Sequence, residues 1–148
     1  MALTKIYTIG FAQKSAEEFF GRLKQHHIRQ LVDVRLHNTS QLAGFSKKGD
    51  LAYFLKEILG AQYLHEPMLA PTETLLRSYQ KGKIGWEEYE QGFLELMNQR
   101  RVEQRIMKEL FAKPTVLLCS EPLADKCHRR LVAEYLAEKW GSVEIVHL

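Results

Sequence analysis

Thr115-Val116-Leu117-Leu118-Cys119-Ser120-Glu121, followed after Pro122-Leu123-Ala124 by Asp125-Lys126-Cys127-His128-Arg129-Arg130, is the stretch on which the fold turns. A five-residue run with no polar group beyond one threonine suits a strand covered on both faces, the habit of parallel sheets. It ends at a cysteine, a short loop follows, and a helix opens with Cys, His and two Arg. The strand–loop–helix order, with a fully apolar strand, predicts a central strand of a parallel sheet. Asp125 reads as the N-cap, which places Lys126, Cys127 and His128 in the first helical turn.

Four further strands surround this one. Lys5-Ile6-Tyr7-Thr8-Ile9 alternates and closes on Gly10. Leu31-Val32-Asp33-Val34 precedes Arg35, Gln62-Tyr63-Leu64-His65 precedes Glu66-Pro67, and Val143-Glu144-Ile145-Val146-His147 follows Gly141. Helical patterns separate them. Ser15 with Glu18 forms a capping box ahead of Phe19, Phe20 and Leu23. Asp50 is read as the cap of a helix with the stripe Leu51, Phe54, Leu55 and Ile58, stopped by Gly60. Pro71-Thr72-Glu73 opens a short helix. Trp86 to Phe111 reads as mainly helical, with Trp86, Tyr89, Phe93, Leu96 and Met97 on one side and a split near Asn98-Gln99-Arg100-Arg101. Leu131, Val132, Tyr135 and Leu136 line the inner face of the last helix. Alternating strands and helices imply an α/β class: a single domain spanning residues 1–148, with a mostly parallel five-stranded sheet and helices on both faces. A chain of 148 residues buries roughly 68–70% of its unfolded surface without staples.

Composition narrows the function classes. Net charge is +3, with 45% hydrophobic and 26% charged residues. That is ordinary for a globular protein and permits a phosphate-bearing partner without requiring one. No apolar run reaches the roughly 20 residues of a membrane span, and the N-terminus carries no signal-peptide core. Two cysteines fit a reducing compartment. A cytoplasmic protein with no membrane partner is expected. No glycine-rich dinucleotide or P-loop fingerprint occurs, and neither Cys119 nor Cys127 is followed by Arg at the phosphatase offset.

In open parallel sheets, ligands bind beyond the carboxyl ends of the strands. Here those exits carry Gly10 and Phe11, then Arg35, then His65 and Glu66, then Cys119, Ser120 and Glu121, then His147. A set of Asp33, Arg35, Cys119, Ser120, His128 and Arg129 is therefore expected to hold an anion, a nucleotide or nucleic-acid phosphate, with Asp33 orienting Arg35. An enzymatic alternative uses the same crevice: Cys127 as a nucleophile of lowered pKa, with His65 and Glu121 assisting, in a hydrolase or transferase. A third alternative is a protein-interaction module built on the Trp86–Phe111 helices. Cys119, Cys127, His128 and His65 are metal ligands in type. The cysteines are eight positions apart rather than in a CxxC knuckle, so the spacing argues against zinc, and no metal or cofactor is expected. The long segment 36–48 reads as a functional or surface loop.

Taken together and in order, Tyr7-Thr8-Ile9-Gly10, Val32-Asp33-Val34-Arg35, Tyr63-Leu64-His65-Glu66-Pro67, Leu117-Leu118-Cys119-Ser120-Glu121 with Cys127-His128-Arg129, and Val146-His147-Leu148 resemble the uncharacterised prokaryotic family known as domain of unknown function 488. The Asn38–Phe45 loop resembles one sub-branch of it. Phe11 and Ala12 stand where many members have a His and a small hydroxyl residue, so no base is expected at that exit. A proline common after the Asp-x-Arg is also missing. The resemblance implies an α/β fold and a shared polar site, and no assigned reaction.

Overall fold

A computed structural model describes residues 3–37, 48–121, 124 and 126–148. The strands are β1 (Thr4–Gly10), β2 (Gln30–Asp33), β3 (Gln62–His65), β4 (Thr115–Cys119) and β5 (Val143–His147). The helices are α1 (Ala16–Gln25), α2 (Lys48–Phe54, continued by a π-helical turn over Leu55–Leu59), α3 (Glu73–Gln80), α4 (Trp86–Arg100), α5 (Val102–Arg105) and α6 (His128–Trp140). Single 3-10 turns cover Pro67–Leu69 and Lys108–Phe111.

The strands form one parallel sheet in the order β3-β2-β4-β1-β5. β4 lies third of five, as its apolar run requires, and all five of its residues are buried. Its side chains alternate between two cores. Val116 and Leu118 face Phe19, Phe20, Leu23, Leu51 and Leu55 of α1 and α2. Leu117 and Cys119 face Phe93, Met97, Val102, Leu131 and Leu136 of α4, α5 and α6. The sheet is thus covered on both sides. No helix among the described residues is long and apolar enough to cross a membrane.

Local signals set most boundaries. Ser15 Oγ accepts the Glu18 amide at 3.1 Å, and Thr72 Oγ1 accepts that of Leu75 at 3.2 Å. Gly60 ends the α2 π-turn in the left-handed region at φ 62°, where a Cβ is disfavoured. Other expectations need correction. α2 already runs from Lys48, so Asp50 sits in its first turn and is not its cap. Ile58 lies outside the buried stripe, at 46% exposure, because the π-turn over Leu55–Leu59 rotates it away from the core. The split expected in the stretch 86–111 is present, by contrast, and falls at Arg101, whose φ of 53° ends α4 and starts α5. Asp125 lies outside the described residues, as does most of the 36–48 loop. α6 itself opens at His128 with Cys127 as N-cap, later than the capping pattern implied.

Candidate functional site

The registers set the strand exits nearly level. Gly10 aligns with Cys119, and Asp33 aligns with both Leu118 and His65. β1 and β4 stay bonded past their ends, through Phe11 N–H to Cys119 O and Ala12 N–H to Ser120 O. Gly10 permits this seam. A Cβ there would fall 1.5 Å from the Glu121 carbonyl oxygen and 2.8 Å from Arg129 Nη1. On the other side of β4 the chain parts. The segment leaving β2 leads to α2 on one face, whereas the segment leaving β4 leads to α6 on the other. Divergence of this kind opens a crevice at a sheet's carboxyl edge. A cavity of about 320 Å³ lies there, bordered by Arg35, Cys119, Ser120, Cys127 and His128, with Glu121, Lys126 and His37 at its margin.

Arg35 is held by Asp33 and by the Phe11 ring. Its Nε donates to Asp33 Oδ1 at 2.9 Å and its Nη2 to Asp33 Oδ2 at 2.7 Å. The Phe11 ring lies under the guanidinium, 5.2 Å from its centroid. Tyr63 donates its hydroxyl to Asp33 Oδ2 at 2.6 Å, so a fully buried carboxylate has its lone pairs occupied. Burial opposes the Arg35 charge, but the Asp33 carboxylate outweighs it and raises the pKa. The expected Asp33–Arg35 pair is therefore present as a bidentate clamp, and Arg35 borders the cavity.

His128 anchors the opposite wall. Its Nε2–H donates to the Val34 carbonyl at 2.7 Å. In the neutral ring, that leaves a lone pair on Nδ1, and Cys119 Sγ lies beside the ring, 3.4 Å from Nδ1 and 3.7 Å from Nε2. Cys119, Cys127 and His128 bring their ligand atoms within 4.8 Å of one another, all three residues buried. The eight-residue spacing of the cysteines gives no sign of this cluster, and the capping pattern puts Cys127 and His128 together inside the first helical turn. Cys127 is instead an extended N-cap, at φ −138° and ψ 138°, so both adjacent side chains reach Cys119.

The two thiols differ in the reverse of the expected sense. Burial pushes Cys127 well above an ordinary thiol, and the neighbouring Cys119 adds to the effect. Cys119 is also resisted by burial, yet hydrogen bonds from Cys127 and the Ser120 amide, with Arg129 nearby, bring its pKa below the ordinary value. The lowered pKa expected of Cys127 thus belongs to Cys119.

Not every residue named from sequence reaches the cavity. His65 donates from Nε2 to the Arg35 carbonyl at 2.8 Å and does not border the cavity. It braces the clamp from outside and does not face either thiol across the crevice. Arg129 is 1% exposed and donates to the Glu121 carbonyl at 2.6 Å and to Thr8 Oγ1 at 3.3 Å. It ties α6 to the β1–β4 seam, and no carboxylate among the described residues pairs with it. His147 bonds Thr8 at the far edge strand, away from the crevice.

The remaining wall was legible only as a core stripe. Tyr79 of α3 and Trp86 and Tyr89 of α4 border the same cavity. Their rings lie 4.9 Å (Tyr79–Tyr89), 5.4 Å (Trp86–Tyr89) and 5.7 Å (Tyr79–Trp86) apart. Burial raises the Tyr89 pKa far above the ordinary phenol, so this ring stays neutral. The aromatic spacing within α4 was visible, but its pairing with α3 and its position across from Arg35 depend on tertiary packing.

Comparison with curated proteins and with solved structures gives no significant match. The sequence profile of one family, described as domain of unknown function DUF488, matches residues 15–136. That span runs from the cap of α1 through most of α6 and contains Asp33, Arg35, Cys119, Cys127, His128 and the aromatic wall. With most of its length matched and the polar edge inside the match, the chain belongs to the DUF488 family.

Proposed function

We propose that the cavity at the carboxyl edge of β2 and β4 binds a small phosphate-bearing ligand of the nucleotide class. The observation that carries this reading is the pairing, across one cavity, of a fixed guanidinium with a three-ring aromatic wall. Arg35 presents a planar cation whose direction is set by Asp33, the arrangement suited to a phosphate oxygen pair. Lys126 at the margin adds a second cation, and Ser120 a hydroxyl. Tyr79 and Trp86 border the cavity, and stacking of a base on such a ring contributes about 1–3 kcal/mol per base. The volume of about 320 Å³ is at the small end of ligand cavities, which favours a mononucleotide over a strand of nucleic acid.

The test is Trp fluorescence and calorimetric titration of the protein with AMP, GMP, CMP, UMP and inorganic phosphate. Saturable binding by the nucleotides, weakened by added salt, is expected. Trp86→Ala reduces nucleotide affinity about 10-fold or more and leaves that for inorganic phosphate unchanged. Lys126→Ala, at an exposed margin, weakens both. Absence of saturable binding by any of these ligands at millimolar concentration would overturn the reading.

A further inference from the structure

We propose that Cys119, Cys127 and His128 form a binding site for a thiophilic divalent metal, zinc by donor chemistry, with a fourth position open to the cavity. This goes beyond the nucleotide reading and does not depend on it.

The donor set is two sulfurs and one imidazole, the combination that selects zinc among common divalent ions. The three donors stand close together before any ion is added. Tetrahedral zinc, with Zn–S about 2.3 Å and Zn–N about 2.0–2.1 Å, separates a sulfur from a nitrogen by roughly 3.5 Å. Cys119 Sγ and His128 Nδ1 stand 3.4 Å apart, and all three ligand atoms fit within 4.8 Å. Metal binding would draw Cys119 Sγ, now 3.4 Å from Nδ1 and 3.7 Å from Nε2, toward the Nδ1 lone-pair axis of the imidazole. Its Nε2–H is committed to the Val34 carbonyl, which fixes the tautomer with a lone pair on Nδ1, the outer-shell contact that metal-bound histidines characteristically make. The ring is further packed against Phe93, at 5.4 Å between centroids, so its direction is not free to change.

Charge favours the same conclusion. Arg129 is buried beside this corner with only neutral oxygens among its described partners. A buried cation stabilises thiolates. On metal binding the two thiols release their protons to solvent, and two thiolates with one divalent ion make a neutral centre. Three protein ligands and an opening to the cavity leave the fourth position for water or for an oxygen of a bound anion, as in sites that act on ligands rather than closed structural knuckles.

The test uses the whole chain, purified, reduced and stripped with chelator. Cobalt(II) serves as the spectroscopic probe, because tetrahedral cobalt bound by thiolate shows intense visible d–d and near-ultraviolet sulfur charge-transfer bands. One cobalt per chain is expected, with both bands present and displaced by an equivalent of zinc(II). Cys127→Ala keeps a small apolar residue at a buried position and is expected to fold, as checked by circular dichroism. It lowers zinc affinity at least 100-fold and halves the sulfur charge-transfer intensity. Cys119→Ala acts in the same direction. In case either variant fails to fold, the wild-type protein decides alone. Reduced protein whose two thiols react with a thiol reagent only after unfolding, and which gives no tetrahedral cobalt spectrum while folded, would sink the proposal, as would an octahedral spectrum untouched by either substitution. Nucleotide titrations are run on metal-free protein, so failure of one reading leaves the other standing.

Discussion

Asp33 carries more of this structure than its single position suggests. It is fully buried, accepts from Arg35 twice and from Tyr63 once, and also accepts the Arg35 amide at 3.1 Å. Removing it leaves a guanidinium buried without its counter-charge, a change that typically destabilises by about 3–5 kcal/mol. We expect Asp33→Ala to show a loss of that size in urea unfolding, and Asp33→Asn, which keeps the acceptor oxygen, to lose less. Equal losses for the two would mean that charge is irrelevant to the clamp. Gly10 is a second sensitive position. Since its missing Cβ is what lets the Glu121 carbonyl and Arg129 approach, Gly10→Ala should cost about 3 kcal/mol and lower the melting temperature by roughly 6–12 °C. A melting temperature within a degree of wild type would show that the seam shifts freely. Asp33-Val34-Arg35 was legible in the sequence because a carboxylate inside an apolar strand demands a nearby partner. The Cys119–Cys127–His128 corner was not, because spacing rules describe ligands on one short loop, whereas here the end of a strand meets the start of a helix.

At the level of elements, the strands were the most legible part. Each carries its own alternation or apolar run, and β4 reads as central because none of its side chains has a solvent face. Helix ends were read less well wherever backbone geometry rather than a capping side chain sets them. The break between α4 and α5 was legible in the polar run Asn98-Gln99-Arg100-Arg101, although the left-handed conformation Arg101 adopts there is not one its residue type advertises. α6 starts at His128, after an extended Cys127 N-cap that makes no side-chain capping bond and whose amide donates to the Ala124 carbonyl. α5 is joined to α6 by Tyr135, which donates to Glu103 Oε1 at 2.6 Å. That bond first, and the cations Lys139 and Arg101 with lesser effect, hold the Glu103 carboxyl below its ordinary value despite partial burial. A depressed carboxyl adds stability above its unfolded pKa and loses it as pH falls through the folded value. Tyr135→Phe should therefore raise the Glu103 pKa in a carbon-detected NMR titration and flatten the acid-side fall of stability. An unmoved Glu103 titration would assign the shift to its surroundings and not to this bond.

Across the whole molecule, β1 and β4 supply side chains to both cores, so neither core can be lost while the other keeps its sheet face. We expect a single cooperative unfolding transition, with far-ultraviolet circular dichroism and the fluorescence of Trp86 and Trp140 changing together. Separate midpoints would divide the chain into two folding units. The strand order carries a consequence for how the protein is made. β1 is synthesised before the other four strands, yet its sheet neighbours among the described residues are β4 and β5, the last of the five to be made. Until Thr115 has been synthesised, only β2 and β3 have a partner, and that short parallel pair has no finished core beneath it. The growing chain must therefore hold the β1 strand, with Ile6 and Ile9, without its sheet partners until β4 has emerged, and the crevice between β2 and β4 cannot exist before then.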